Sequence, residues 1–315
     1  MTLAMIFPGQ GSQSVGMLAE LAATEPAVQA TFDQASAVLG YDLWQLVAAG
    51  PAEDLNATDR TQPALLSAGV AVFRVWQAHD GLAPAMMAGH SLGEYTALVC
   101  AGAMDFEAAV ELVRFRGQVM QAAVPPGEGA MAALLGLDDE QVALACQQAA
   151  EDEVVAPVNF NAPGQVVIAG TSAAVARAAA VARELGARRV VDLPVSVPSH
   201  CALMAPAAEQ LAARLAEVDI REPQVPVVHN TDAAVHRDPE EIRQVLAAQL
   251  HQPVMWVDCV RALKAAGATA LVEAGPGKVL AGLNRRIERD LACYPVFDPG
   301  TLAAAMDALD GGTEK

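Results

Sequence analysis

Short runs of consecutive apolar residues alternate along this chain with longer stretches in which apolar positions recur every three or four residues. Runs of four to eight apolar residues suit strands buried on both faces, whereas the 3.6-residue recurrence marks helices with one buried side. The first run ends at Phe7 in Met1-Thr2-Leu3-Ala4-Met5-Ile6-Phe7, a second is Ala85-Met86-Met87-Ala88, and a late one spans Ala268 to Glu273. Helical periodicity covers Ala27 to Leu39, Pro63 to His79, Asp105 to Ala122, Ala202 to Ala216, Glu240 to Leu250 and Val257 to Ala266. Strands separated by helices of this length predict an α/β fold whose sheet is largely parallel.

The rhythm changes after Pro125-Pro126-Gly127. A strand over Ala130 to Leu135 is followed by a helix over Asp138 to Ala150. Strands Val154 to Phe160 and Gln165 to Ala169 then flank the turn Asn161-Ala162-Pro163-Gly164, and a helix over Ser172 to Leu185 leads to a strand over Arg189 to Leu193. The order β-α-β-β-α-β is the split βαβ, ferredoxin-like pattern. Pro194 and Pro198 close it, so residues 125-198 read as a small subdomain inserted into an α/β body made of 1-124 and 199-315. A cleft between two such bodies is a usual ligand site. The tail after Pro299 is acidic and is expected to fray beyond Gly311.

Composition narrows the classes of function. At 315 residues, 53% of them hydrophobic with alanine prominent, the chain can bury a full core. No run approaches the roughly 18 apolar residues that span a bilayer, and the apolar start lacks a basic region ahead of it, so it reads as a strand rather than a signal peptide. A net charge of −18 repels nucleic acid, and no basic cluster offsets it. Five widely spaced cysteines, Cys100, Cys146, Cys201, Cys259 and Cys293, suggest reduced thiols and a cytoplasmic setting. No cysteine or histidine spacing matches a zinc site, and His229, Asp232 and His236 read as loop polarity rather than metal ligands.

Candidate chemistry centres on Gly89-His90-Ser91-Leu92-Gly93, a Gly-x-Ser-x-Gly pentapeptide between the second apolar run and the helix formers from Glu94 to Ala101. A strand that turns straight into a helix crowds its backbone, which the glycines relieve, and the turn holds the serine outward beside the Leu92 amide. A serine nucleophile needs a base. His90 adjoins it but points elsewhere on a sharp turn, while His79, His229, His236 and His251 lie in polar or loop-like contexts. His200 follows Pro198-Ser199, with Ser199 placed to cap a helix starting near Cys201. A histidine at a helix N-terminus is kept neutral by the macrodipole and can accept a proton, though a plain surface histidine fits the same sequence. No aspartate is evident as a third member, neither Asp192 nor Asp258 having a compelling context, and a backbone carbonyl could orient the ring instead.

Arg116 is the independent clue. It shares a helix face with Ala109, Leu112, Val113, Gly117 and Met120, whereas Arg114 falls on a solvated face with a helical acid as partner. A charge on an apolar stripe requires an anion, either a protein carboxylate or a substrate carboxylate held by the planar fork. The turn Phe7-Pro8-Gly9-Gln10-Gly11-Ser12-Gln13 lacks a nucleotide fingerprint; it is either a plain strand-end turn or the source of an amide for an oxyanion.

Taken in order, these motifs resemble the malonyl-CoA:acyl carrier protein transacylase family of bacterial fatty-acid synthesis. The likeness runs through Phe7 to Gln13, Gly89 to Glu94, Arg116-Gly117, Val158-Asn159-Phe160-Asn161, Pro194 to His200 and Gly275-Pro276-Gly277-Lys278; the stretch after Arg286 is less family-like. It implies a hydrolase-like α/β body with a ferredoxin-like insertion. It further implies that Ser91 is the nucleophile, His200 the base, and Arg116 the holder of the malonyl carboxylate. Gln10 and Leu92 match the oxyanion-hole amides, and Gln249 matches the residue whose main-chain carbonyl orients the histidine. The expected substrates are malonyl-CoA and the phosphopantetheine thiol of acyl carrier protein, with no cofactor, no metal, no nucleic-acid or membrane partner, and a monomeric enzyme. A serine esterase or thioesterase, and a carrier-binding scaffold with a vestigial site, are the competing readings. Because carriers are acidic, Arg188-Arg189, Lys278, Arg285 and Arg286 are the expected docking cations.

Overall fold

The computed structural model describes residues 1–195 and 197–310. Among those residues nine strands form two sheets: β1 (Leu3–Phe7), β2 (Met86–Gly89), β3 (Gly129–Leu135), β4 (Val155–Ala162), β5 (Gln165–Thr171), β6 (Arg189–Asp192), β7 (Val227–Val228), β8 (Ala270–Ala274) and β9 (Ala292–Val296). The first sheet has the order β7-β2-β1-β8-β9, and every pairing in it is parallel. Its central strand β1 is buried on both faces, as a continuous apolar run requires. Leu3, Met5 and Phe7 enter one core; Ala4 and Ile6 enter another with Trp256, Val260 and Leu263.

The second sheet, β4-β5-β3-β6, is antiparallel, with helices Asp139–Ala150 and Ser172–Glu184 between its strands in the β-α-β-β-α-β order. It is tied back to the body by β4. Phe160 donates its amide to Val254 O at 3.0 Å, and Val254 donates to Val158 O at 2.8 Å. The Val158–Asn161 motif therefore ties the antiparallel sheet to the body through Val254.

Register explains where the site lies. Phe7 pairs with Gly89 and Ile6 with Glu273, so the turns after β1, β2 and β8 leave the sheet side by side at the carboxyl ends of the strands. That edge of an open parallel sheet is the usual ligand position.

Several boundaries differ from the sequence pattern. The helix expected from Pro63 runs over Thr58–Ala78, with Pro63 inside it. Proline stands five residues past the start, beyond the first-turn amides that lack partners anyway, so the helix forgoes its bond to the Asp59 carbonyl. Its first turn packs on the Phe106–Ala123 helix, where a Cβ on Gly117 would lie 2.5 Å from Asp59 Cα. Strands β7 and β9 were not anticipated: β7 has two residues, and β9 carries Pro295, which an edge strand tolerates. Among the described residues Arg114 has no helical acid as partner; it donates to Leu39 O at 3.2 Å, the last carbonyl of helix Pro26–Leu39. The stretch after Pro299 is a helix, Pro299–Asp310, burying Leu302, Ala305 and Leu309. The fraying expected beyond Gly311 lies outside the described residues. Among those residues no helix is long and apolar enough to cross a membrane, and all five cysteines are unpaired.

Candidate active site

The turn after β2 is closed by contacts only glycine allows. A Cβ on Gly89 would fall 1.9 Å from the carbonyl of Gly93, and one on Gly93 would fall 2.1 Å from Phe7 O. Between them Ser91 takes a positive φ of 51°, and its amide donates to Asn230 Oδ1 at 2.7 Å. Asn230 Nδ2 donates in turn to Gly89 O at 2.7 Å, bracing the turn from both sides. His90 points away from the serine, as expected, and its Nε2 meets Asn161 Oδ1 at 2.7 Å.

Ser91 Oγ lies 2.8 Å from His200 Nε2, although the two are far apart in sequence. His200 Nδ1 lies 2.6 Å from the main-chain carbonyl of Gln249. A carbonyl can only accept, so Nδ1 carries the ring proton and Nε2 presents its lone pair to the serine hydroxyl. His200 is buried at 4% exposure, and its pKa is lowered to about 3, first by that burial and then by the Arg116 cation. The expected cause was a helix N-terminus, and the structure corrects it. His200 adopts a positive φ of 66° ahead of a short 3₁₀ turn, Ala202–Met204, capped by Cys201 without a side-chain bond. Ser199 is not the cap; its hydroxyl donates to Val197 O at 3.5 Å.

Arg116 is buried at 2% exposure on the face predicted for it. No protein carboxylate pairs with it among the described residues. One terminal nitrogen donates to Gln62 Oε1 at 2.8 Å; the other donates to Gln249 Oε1 at 3.0 Å and stands 3.4 Å from Ser91 Oγ. Among the described residues its Nε has no partner, and the Tyr95 ring lies beneath the guanidinium at 5.4 Å. Burial pushes the Tyr95 hydroxyl up to about 12, so the ring stays neutral.

Gln10, Ser91, Leu92, Arg116, Met131 and His200 all line one cavity of about 140 Å³. Among the described residues the amides of Gln10 and Leu92 make no hydrogen bond, whereas that of Ser91 is occupied by Asn230. The cavity thus combines a serine–histidine pair, a buried cation and two free amide donors. That set can activate a hydroxyl, stabilise an oxyanion and hold an acidic acyl group.

Four participants escaped the sequence reading. Glu94 is fully buried under the turn, accepting from the Asn230 amide at 2.9 Å and from Gln249 Nε2 at 2.8 Å, and meeting His229 Nδ1 at 2.7 Å. Its signal was the one that exposed Arg116: a charge among Tyr95, Ala97 and Leu98, all buried. Asn230 and Gln62 carried no such signal. His229, expected in a loop-like polar context, is wholly buried. His236 pairs with Asp232 at 2.7 Å, and among the described residues no three His, Cys, Asp or Glu side chains are grouped to hold a metal.

Comparison with known proteins shows the family. The acyl transferase domain family matches residues 4–291. The malonyl CoA-acyl carrier protein transacylase of Escherichia coli (strain K12) is 58% identical over 304 residues, covering 96% of this chain and 98% of that protein. The corresponding Bacillus subtilis protein is 44% identical over 308 residues, 98% of this chain and 97% of its own length. Among solved structures, an acyl carrier protein S-malonyltransferase from Vibrio cholerae superposes with a TM-score of 0.94 at 57% identity, covering 96% of this chain and 99% of the other. A malonyl-transacylase in complex with its type II polyketide-synthase acyl-carrier protein gives 0.97 at 52% identity, covering 98% and 100%. With the serine–histidine pair, the unpaired buried arginine and the two-sheet fold in place, the chain belongs to the malonyl CoA-acyl carrier protein transacylase family.

Proposed function

We propose that this acyl carrier protein S-malonyltransferase works by a ping-pong route through a malonyl-serine ester. His200 Nε2 takes the Ser91 proton as Oγ attacks the thioester carbonyl of malonyl-CoA. The amides of Gln10 and Leu92 receive the negative charge that develops on the carbonyl oxygen. The tetrahedral adduct collapses with return of the proton from His200 to the departing CoA sulfur, leaving the ester on Ser91. The phosphopantetheine thiol of the carrier then gives its proton to His200 and attacks that ester, and the reverse collapse regenerates the serine. No cofactor enters any step.

The observation that carries this reading is Arg116. Its terminal nitrogen stands 3.4 Å from Ser91 Oγ, and no protein carboxylate claims it among the described residues. A carboxylate one methylene from the acyl carbon meets the guanidinium while that carbon is bonded to Oγ. The cavity of about 140 Å³ suits such a short group. Arg116→Ala should therefore lower the malonyl-over-acetyl preference by at least about 100-fold, as expected for a lost charge-assisted pairing. Full malonyl selectivity in that variant contradicts the assignment.

Acceptor choice is tested separately by CoA release from malonyl-CoA. Release should stop near one equivalent per enzyme without carrier and turn over when holo carrier is added. Continuous release without carrier identifies a hydrolase. The reading places the enzyme in the cytoplasm as a monomer that meets its carrier transiently.

A further inference from the structure

A buried arginine without a counter-ion is costly, yet one paired directly with a carboxylate has no fork left for substrate. The site resolves this conflict by distance. Both amide partners of Arg116, Gln62 and Gln249, are neutral. The carboxylate of Glu94 stands one amide further away, its Oε2 2.8 Å from Gln249 Nε2.

The orientation of the Gln249 amide is dictated by its surroundings. Its Nε2 faces three acceptors: Glu94 Oε2, Ser91 O at 3.0 Å and Asn230 Oδ1 at 3.3 Å. A flipped amide would turn its oxygen onto all three and its two hydrogens onto the Arg116 donors. Only the observed orientation satisfies both sides, and it presents Oε1 to Arg116. Glu94 is held in turn by the His229 ring and the Asn230 amide, and Glu94, His229, Asn230 and Gln249 are all at 0% exposure.

We infer that Glu94 and the side chain of Gln249 are a specificity-positioning pair. Glu94 supplies the negative charge that balances Arg116 from one amide away. The Gln249 amide fixes the guanidinium plane while leaving its fork for the acyl carboxylate. Gln249 thus acts at two ends, with its main-chain carbonyl on His200 and its side chain on Arg116. This inference rests on Arg116 as the holder of the acyl carboxylate.

The two ends are separable, because a side-chain substitution retains the carbonyl. Gln249→Met and Glu94→Gln are near-isosteric, and the second keeps the question testable should the first fail to fold. Acylation of the full-length chain by malonyl-CoA and acetyl-CoA is compared for each, with thermal unfolding as a check on folding. In Gln249→Met the malonyl-to-acetyl ratio of kcat/KM should fall at least tenfold, mostly through the malonyl-CoA KM. The acid limb set by His200 should not move. In Glu94→Gln the charge behind Gln249 is lost while an amide oxygen can still accept from Gln249 Nε2, and the ratio should fall in the same direction. A malonyl preference that survives both substitutions overturns this inference alone. Equal acylation by malonyl-CoA and acetyl-CoA in the unsubstituted chain overturns the reading of Arg116 and this inference with it.

Discussion

Ser91 and His200, the two residues placed to exchange a proton, both hold positive φ, 51° and 66°. Such backbone costs about 1–3 kcal/mol per residue and persists only where the surroundings enforce it. Here Asn230 grips the Ser91 amide, and His200 donates its own amide to Leu250 O at 2.9 Å, beside the carbonyl that orients its ring. Ser91 and Arg116 were legible as residues, one from its glycine frame and the other from its place on an apolar stripe. The Gln249 carbonyl was legible only through family resemblance, since no side-chain property advertises a main-chain acceptor. The neutrality of His200 was foreseen for the wrong reason, because burial is a tertiary property and the helix start was the only local cue. Its consequence is measurable. A His200 pKa of about 3, against about 6.5 in the unfolded chain, means the native state refuses a proton that the unfolded state binds. Stability from this group is complete above about pH 6.5 and is lost as pH falls toward 3, by up to about 1.4 kcal/mol per unit. Burial also lowers the His90 pKa, which acts in the same direction. Denaturant titrations between pH 7 and 4 should show this decline, while the acid limb of the acylation rate lies well below that of an ordinary histidine. An acid limb near about 6.5 contradicts the buried, neutral base.

Among elements, the turn after β2 is the least tolerant of change. Gly89→Ala would drive a Cβ to 1.9 Å from the Gly93 carbonyl, so the strand and the Gly93–Cys100 helix must part. A loss of about 3 kcal/mol or more, a Tm lower by roughly 5 °C or more, and activity reduced over tenfold are expected. Gly282 is the contrasting case. It lies inside helix Val279–Ile287 with nothing within 4 Å of a built Cβ, and Gly282→Ala should stabilise the protein by about 0.5–1 kcal/mol. Thermal unfolding of both variants checks the pair, and equal tolerance contradicts the packing argument. Helices with clear periodicity were readable to within a residue or two of their ends, as with Ala27 to Leu39 against Pro26–Leu39. Elements that depend on neighbours were not. The first turn of the Thr58–Ala78 helix is stabilised by packing on the Phe106–Ala123 helix, a contact that a proline-based boundary cannot foresee. Strand β7 exists because β2 pairs with its two residues.

At the scale of the whole molecule, the alternation of elements announced a parallel sheet and an antiparallel insertion, but not the order β7-β2-β1-β8-β9 that sets three turns side by side. Five of the cations expected from the sequence, Arg188, Arg189, Lys278, Arg285 and Arg286, fall into two groups on the folded surface, and Arg289 joins them. Arg188, Arg189 and Arg286 surround one surface cavity of about 390 Å³; Lys278, Arg285 and Arg289 line another of about 420 Å³. All six are exposed, none is among the described ion pairs, and helix Val279–Ile287 carries Arg285 and Arg286 from one cavity to the other. On a chain of net charge −18, unpaired cations gathered in this way favour an acidic partner. The double variant Arg188→Glu/Arg189→Glu should raise the KM for carrier several-fold, with the effect shrinking at high salt. An unchanged carrier KM removes these residues from docking. The central claim is that Ser91 bears the malonyl group between donor and acceptor. Brief reaction with malonyl-labelled malonyl-CoA followed by acid quenching should leave close to one malonyl group per chain, on the peptide containing Ser91. Adding holo carrier before the quench should move that label onto the carrier. An unlabelled Ser91 peptide with active transfer, or label that passes to water rather than to carrier, contradicts the account.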